Sequence, residues 1–225
     1  KKESFFITSN LKEESKSQIS IHNPAWKIAN NASETIYKIS SRRAEQSSTE
    51  EKILMVNPLF QALQNDKITN TATSDDAELL LLDNKLTLKK NVKLRISENE
   101  DVLEFNSQFL YFDLVNNTVS TKSKVELKSD YIFLDGESLK ISKNNNGRFL
   151  ISFTKANVKL KKDGKYKKFG SADTILLSDS SDILTMLGSA KIILNSSDIS
   201  ADEIHYNFKT RVIVNSKNSQ LINKS

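Results

Sequence analysis

Two segments near the C-terminal end of the chain repeat each other at a fixed offset of 29 residues. Residues 171–177 read SADTILL and residues 200–206 read SADEIHY, and apolar residues follow both at the same spacing. A fixed offset in this range is typical of stacked repeat architectures. The unit is small, a polar turn and a strand repeated twice, and it cannot bury its apolar face alone. The repeat therefore predicts that neighbouring units stack.

The rest of the chain continues the same pattern of short apolar runs separated by polar turns. Residues 92–96 alternate apolar and polar side chains strictly, which is the period of a half-buried strand. Runs of this kind recur every 8 to 12 residues or so, which favours an all-β sandwich, barrel or jelly roll. Each strand then has one apolar and one polar face, so the sheet must fold over on itself or meet a second sheet.

The distribution of proline supports an uninterrupted ladder of strands. The chain has only two prolines, Pro24 and Pro58, and none follows the second. Proline cannot donate to a ladder, so a long tract without it suits continuous pairing. The charged segment 41–52 is the exception, and it fits either one turn of helix or a loop.

Charge and cysteine content restrict the chemistry. The net charge is +5, with lysines spread among serine, asparagine and carboxylates, which is typical of a solvated surface. Cysteine is absent, which excludes disulfides, thiolate catalysis and cysteine metal sites. No run approaches 18 or so apolar residues. Because the chain begins Lys1-Lys2 without methionine, we expect that a preceding segment, a signal or an anchor, has been removed.

No catalytic or cofactor motif is recognisable. The two histidines, His22 and His205, are far apart, and strand alternation turns His205 away from the Tyr206 face toward solvent. Phosphate loops and nucleophile elbows are missing. Asp173 and Asp202 recur at the repeat offset, where turn chemistry is their expected role. We predict no cofactor, no metal and no enzymatic activity.

Nucleic-acid binding is an alternative that the basic charge allows. Tyr111, Phe112, Phe149 and Phe153 are able to stack on bases in a basic groove. These aromatics do not lie among clustered lysines and arginines, and no RNA-binding signature is present. We therefore do not expect a nucleic-acid partner.

Several segments, in their order along the chain, resemble the OstA-like lipopolysaccharide transport proteins. Residues 199–206, ISADEIHY, are similar to the family unit I-x-A-D-x-I-x-Y, and residues 183–192 to the strand pair that accompanies it. Residues 37–44 with Asn57-Pro58 resemble the opening of the inner-membrane-anchored member, LptC. Residues 103–121 and 132–139 are similar to its body, whereas the C-terminal third resembles the soluble bridge protein, LptA.

The resemblance implies three regions. Residues 1–25 form a lead-in after a removed N-terminal anchor, residues 26–165 an LptC-like β-jelly-roll, and residues 166–225 LptA-like β-repeats that continue the same sheet. The implied fold is an open, elongated β-jelly-roll of stacked antiparallel strands. The implied location is the periplasm, with an anchor in the inner membrane.

The resemblance also implies a function without an enzyme: an apolar groove that carries the acyl chains of lipopolysaccharide. The expected partners are lipopolysaccharide, the subunits of the inner-membrane ABC transporter, and a periplasmic jelly-roll bridge protein that pairs with the strand edge formed by residues 199–222. Strand faces predict the lining of the groove: Phe112, Ile132, Leu134, Leu139, Ile151, Phe153, Ile175, Leu177, Ile183, Ile192, Leu194, Ile204, Tyr206 and Val212.

The residues alone leave two other functions open. A structural or scaffold β-domain with a dry core needs the same apolar strand faces, because such a face requires burial in either case. A carbohydrate-active or other enzyme on a β scaffold would need convergent carboxylates in a cleft. A continuous apolar groove would distinguish the carrier from the scaffold.

Overall fold

A computed structural model describes residues 18–30, 34–47, 51–98, 101–143, 149–178, 181–194 and 196–223. These residues form twenty strands, joined by short turns. In chain order the strands are β1 (Gln18–His22), β2 (Ala25–Asn30), β3 (Thr35–Ser40), β4 (Arg43–Ser47), β5 (Lys52–Val56), β6 (Leu59–Gln64), β7 (Lys67–Thr73), β8 (Asp76–Leu80), β9 (Lys85–Glu98), β10 (Asp101–Asp113), β11 (Thr118–Thr121), β12 (Val125–Lys128), β13 (Ile132–Gly136), β14 (Ser138–Lys143), β15 (Phe149–Lys162), β16 (Lys165–Ser178), β17 (Ile183–Ile193), β18 (Ser197–Asn207), β19 (Val212–Lys217) and β20 (Gln220–Asn223).

All strand pairs are antiparallel, and they build two layers, which we call sheet I and sheet II. Sheet I runs β1-β4-β5-β8-β9-β10-β11-β14-β15-β16-β17-β18-β19. Sheet II runs β2-β3-β6-β7-β9-β10-β12-β13-β15-β16-β17-β18-β20. The long strands β9, β10 and β15 to β18 belong to both layers, one half to each. The result is the expected all-β, open jelly roll, and the fold prediction is confirmed.

The long strands pass from one sheet to the other at corners marked by register shifts and left-handed residues. The register slips between Ser107 and Phe109 in β10 and between Leu187 and Ala190 in β17. Asn91, Lys155 and Gly188 have positive φ at these corners. Bulges of this kind bend a strand and increase its twist, so they fold a continuous ladder into two facing layers.

The repeated aspartates lie at these corners, two strands apart. Asp202 Oδ2 accepts a hydrogen bond of 2.6 Å from Asn218 Nδ2 on the neighbouring chain segment. Asp173 occupies the equivalent place in β16, where its carboxylate is packed against Gly188. Asp75 repeats the arrangement, accepting from Asn91 Nδ2 at 2.7 Å. The expected turn chemistry is wrong for the repeated aspartates: Asp173 and Asp202 lie inside strands, and Asp202 bonds a side chain of the next chain segment instead of nearby backbone donors.

The apolar faces of the two sheets meet in one continuous core that runs from β3 to β18. Its largest fully buried side chains include Phe60, Phe105 and Phe153. The rings of Phe105 and Phe153 are stacked 6.5 Å apart, and Phe60 contacts Phe112 at 4.7 Å. The two layers are therefore held together along their whole length by apolar contacts, each buried CH₂ contributing about 0.8 kcal/mol.

Two sequence expectations need comment. The helical turn considered for residues 41–52 is wrong, because β4 occupies Arg43–Ser47 and β5 begins at Lys52. The lead-in predicted for residues 1–25 contains β1, which pairs with β4, while residues 1–17 are outside the described part. The division between the LptC-like and LptA-like regions after residue 165 stays a prediction.

No helix long and apolar enough to cross a membrane occurs among the described residues.

Candidate functional site

The candidate site is the inner face of the jelly roll, between sheet I and sheet II. Of the fourteen residues predicted to line it, eleven are buried in the structure at less than a tenth exposure: Phe112, Ile132, Leu134, Leu139, Ile151, Phe153, Ile175, Leu177, Ile192, Ile204 and Tyr206. They belong to β10, β13, β14, β15, β16, β17 and β18. The structure thus brings them together in one layer.

Three predicted lining residues are not part of this buried face. Val212 is 55% exposed and lies opposite Asn207, on the outer face of sheet I. Ile183 also pairs with Asn207 and is only half-buried, because its neighbour Leu184 takes the inner position. Leu194 follows the end of β17 at a turn and is 40% exposed. The interior prediction was therefore wrong at these positions.

The reason is strand parity. Residues 183–187 read ILTML, apolar on both faces, so alternation alone does not say which residue points inward. In the structure Leu184 and Met186 are fully buried, opposite Tyr206 and Ile204. In β19 the inner position belongs to Ile213, which lies opposite Tyr206.

The N-terminal half contributes an equal share of the inner face that the predicted lining did not include. Tyr37, Ile39, Phe60, Leu79, Leu86, Leu88 and Leu94 are all buried there. The sequence held part of this information, since apolar and polar residues alternate cleanly over residues 92–96. It did not show which sheet β3 and β6 join, and the burial of their residues depends on that.

The interior is closed along its length. A small, partly open cavity toward the N-terminal end has a volume of about 40 Å³ and is lined by Tyr37, Phe60, Ile96, Phe112 and Ile141 among others. Pockets for small ligands measure about 300 to 1,000 Å³, so this space is too small for an acyl chain. The inner face is therefore a continuous apolar stripe whose own side chains fill the space that a ligand would need.

The two layers are joined on opposite sides in different ways. At the corners the chain itself connects them, so that side is covalently closed. On the other side, which we call the mouth, each sheet ends in hairpin turns, and the two rows of turns form the lips. The lips meet through side chains, and no strand crosses between them in the described ranges.

The mouth is closed at two places. Toward the N-terminal end, Asn30 Nδ2 donates to the carbonyls of Leu114 and Val115 at 2.7 and 2.9 Å, and Tyr37 Oη donates to Asn117 Oδ1. Burial raises the pKa of Tyr37 to about 12, so its hydroxyl stays a donor at neutral pH. These bonds join sheet II to the turn between β10 and β11 of sheet I.

The second closure is toward the C-terminal end. The ring of Tyr131, in the turn after β12 of sheet II, lies 6.0 Å from that of Phe208, in the turn after β18 of sheet I. Lys209 Nζ lies 5.3 Å from the centre of the Tyr131 ring. Arg211 Nη2 donates to the carbonyl of Lys161 at 3.2 Å. Both closures consist of a few partly exposed contacts.

The polar residues of the outer faces do not converge into a catalytic or metal centre. His205 lies on the outer face, about a third exposed, with Nε2 2.6 Å from Glu203 Oε1 and Nδ1 3.2 Å from Thr185 Oγ1. No cluster of three metal-ligating side chains occurs within the residues that the structure covers. Several ion pairs are surface pairs, such as Lys90 with Asp76 at 2.7 Å, whereas Asp198, 2.7 Å from Lys191, is largely buried.

Comparison with protein families yields two matches that overlap along the chain. Residues 3–146 match the LptC-related lipopolysaccharide-assembly family. Residues 104–212 match the family of LptA and the N-terminal domain of LptD, which are lipopolysaccharide transport proteins. Both families consist of non-enzymatic periplasmic transport proteins. No curated protein matches the chain.

Proposed function

Because the chain belongs to the LptC-related family of lipopolysaccharide-assembly proteins, we propose that it is a carrier that passes lipopolysaccharide along the inner face of its jelly roll. The acyl chains lie between sheet I and sheet II, and the sugar part stays outside the mouth. The observation that supports this most is the continuous apolar stripe from β3 to β18, which lies between the two sheets and behind the mouth.

The energies favour an opening of the mouth by the lipid. Burying an acyl chain of about twelve CH₂ groups releases about 10 kcal/mol, at about 0.8 kcal/mol for each group. The first closure consists of three hydrogen bonds, at about 1 kcal/mol each, and the second of one hydrogen bond, one aromatic contact and one lysine over a ring, each of similar size. When the lipid enters, the apolar side chains of the two sheets lose contact with one another and gain contact with the acyl chain instead. The closed form is then the unloaded carrier.

The two ends of the jelly roll offer strand edges to partners. Among the described strands, β1 with Ile19 and β2 form the edges at the N-terminal end, and β19 with Val214 and β20 with Leu221 form those at the C-terminal end. An unpaired edge with apolar side chains is a template for another strand. We assign the C-terminal edges to the periplasmic jelly-roll bridge protein and the N-terminal edges to the inner-membrane ABC transporter. A membrane anchor on the N-terminal side belongs to the same proposal and rests on the family alone.

The second candidate is a scaffold β-domain with a dry core and no ligand. The closed interior, with its cavity of about 40 Å³, is the observation that favours it. The scaffold and the carrier differ in one respect: only the carrier brings the inner face into contact with lipid.

A photo-crosslinking amino acid distinguishes them. It is placed at Leu134 or Ile192, both fully buried on the inner face, and as a control at Lys140, exposed on the outer face. During transport in cells that make lipopolysaccharide, we expect adducts from the two inner positions and none from Lys140. Adducts from Lys140 alone, or from no position, would establish the scaffold.

A further inference from the structure

The hairpin between β15 and β16 carries the densest group of positive charge in the described chain. Residues 159–168 read KLKKDGKYKK, with six lysines and one aspartate. Lys162 lies directly opposite Lys165 across the hairpin, and Lys159 opposite Lys168. Like charges in directly opposed positions destabilise a strand pair. A folded hairpin that keeps them is a candidate for a site that binds an anion.

The lysines divide between the two faces of sheet II. Lys159 and Lys161 lie on the outer face, where they are 3.9 Å from Asp135 and Asp130. Lys162, Lys165 and Lys167 lie on the opposite face, since Lys167 pairs with the core residue Leu160 and Lys162 with Lys165. These three are exposed, and none forms an ion pair with any described carboxylate.

The three inner lysines are located at the mouth. They continue the inner strand face that holds Val158 and Leu160. They lie beside the hairpin turn at the end of β15, at the lip of sheet II. The opposite lip brings one more cation, Arg211, which bonds the Lys161 carbonyl. Lys209, beside Tyr131, is paired with Asp182 at 3.0 Å. Other described turns on this side carry aspartates instead, Asp66 after β6 and Asp83 after β8. The positive charge is therefore local to one stretch of the mouth.

We propose that Lys162, Lys165 and Lys167, with Arg211 from the opposite lip, bind an anionic headgroup, a phosphate or a carboxylate, of an amphiphile whose acyl chain enters the inner face beside them. The proposal rests on the proposed carrier function and assigns the place at which the ligand's charged part is held. An apolar stripe that ends in cations of one sign fits a molecule with an aliphatic tail and an anionic head. Binding there removes the repulsion between Lys162 and Lys165.

The anion also affects the closure of the mouth. Arg211 holds the lips together by donating to the Lys161 carbonyl. A phosphate offers a charged acceptor in the same place, and a guanidinium bonds a charged acceptor more strongly than a neutral carbonyl. The headgroup therefore competes for Arg211 and releases one contact of the closure where the acyl chain must pass.

The test measures the dissociation constant of a phosphorylated lipopolysaccharide and of its enzymatically dephosphorylated form. The variant is Lys162→Gln/Lys165→Gln/Lys167→Gln. The control, Lys38→Gln/Lys93→Gln/Lys140→Gln, removes the same charge from exposed outer-face lysines in β3, β9 and β14. We expect the variant to lose about tenfold in affinity for the phosphorylated lipid, and the control to change by less than about twofold. The dephosphorylated lipid should bind wild type and both variants alike.

Each other outcome overturns a defined part of the account. Equal losses in the variant and the control mean that the effect is one of net charge only, and the site is wrong. Inorganic phosphate that binds with the same lysine dependence, and without lipid, assigns the cluster to a free anion instead. Wild type that binds both lipids equally also overturns the headgroup site, while the carrier function stands. Wild type that binds neither lipid overturns both.

Discussion

The rings of Tyr131 and Phe208 lie 6.0 Å apart and join the lip of sheet II to the lip of sheet I. Tyr131 precedes β13, Phe208 follows β18, and no strand pairing links these two elements in the described structure. The contact therefore belongs to the mouth alone and must break if a ligand enters there.

A covalent tether across this contact should block loading. The variant Tyr131→Cys/Phe208→Cys, joined by a short bifunctional thiol reagent, carries the only two thiols of the chain, since the native sequence has no cysteine. We expect lipopolysaccharide binding to fall at least about tenfold on tethering, which corresponds to about 1.4 kcal/mol. The measurement is binding before and after the reagent.

The matched control for the tether is Ser120→Cys/Lys140→Cys, a directly opposed pair within sheet I. Joining two strands of one sheet leaves the mouth free, so its binding should not change. If the tether across the mouth has no more effect than this control, entry through the mouth is refuted.

Substituting Gly170 should destabilise the fold more than substituting Gly164. A Cβ at Gly170 would lie 2.3 Å from the Lys191 carbonyl oxygen in the next strand, whereas one at Gly164 has open space and only the cost of its φ of +75°. We expect Gly164→Ala to cost about 1 kcal/mol and Gly170→Ala about 2 to 3 kcal/mol. Urea unfolding at equilibrium measures both. Equal costs would mean that the strands near Gly170 separate easily.

Charges at the C-terminal edge should weaken partner binding without loss of stability. Val214 in β19 and Leu221 in β20 are 57% and 64% exposed. The variant Val214→Lys/Leu221→Lys should bind the periplasmic bridge protein about tenfold more weakly, because charge on an edge opposes strand addition. Surface plasmon resonance with the bridge protein gives the affinity, and thermal unfolding should be unchanged.

The control for the edge is Leu54→Lys/Leu150→Lys. Both residues are exposed, but β5 and β15 are paired on both sides, so they offer no edge. The same loss in this control would show that added charge, and not the edge, weakens binding.

Acid should remove part of the stability through Glu78. Lys89 Nζ lies 2.8 Å and Lys52 Nζ 3.3 Å from its carboxylate, and the hydrogen bond from Lys89 is the main reason that the pKa of Glu78 is below its usual value. A carboxyl with a lowered folded-state pKa stabilises the protein above its unfolded pKa and loses that contribution as the pH falls through the folded pKa. We expect a loss of about 1 kcal/mol as the pH falls below the usual pKa of a glutamate.

Glu78→Gln tests this by removing the titrating group. The variant should be less stable than wild type at neutral pH and should converge with it in acid, as measured by urea unfolding across the pH range. Glu137→Gln removes the carboxylate of an ion pair that is 64% exposed, and it should cost less stability at neutral pH than Glu78→Gln. Parallel curves for Glu78→Gln would exclude this carboxylate as a source of acid sensitivity.

The sequence predicted the fold, and eleven buried residues of the inner face from Phe112 onward, because strand period and repeat offset carry that information locally. Ile204 lies between the polar residues Glu203 and His205, and Ile175 corresponds to it at the repeat offset; both are buried. Ile183 and Val212 were assigned to the wrong face, because both alternating sets of positions in their segments contain apolar residues. In such segments the turn alone sets which residue points inward. The 29-residue correspondence itself holds, because both residues share the outer face opposite Asn207.

The sequence alone could not predict the mouth or the position of the lysines beside it. Lys161 and Arg211 are 50 residues apart and meet because the two sheets fold together at corners such as Lys155 and Asp202. The lysine hairpin is visible as composition, but its division into an inner and an outer face depends on the bulge between Val158 and Lys159. Such relations follow from register, which a single sequence specifies weakly across so many strands.

The central claim is that the inner face holds lipid, and native mass spectrometry tests it most directly. The protein is purified from cells that make lipopolysaccharide and is measured under conditions that preserve non-covalent complexes. We expect a population with one glycolipid mass added. The Tyr131→Cys/Phe208→Cys protein, freed of lipid and tethered before incubation with purified lipopolysaccharide, should stay without it. A spectrum of bare protein, unchanged after incubation with purified lipopolysaccharide, would contradict it.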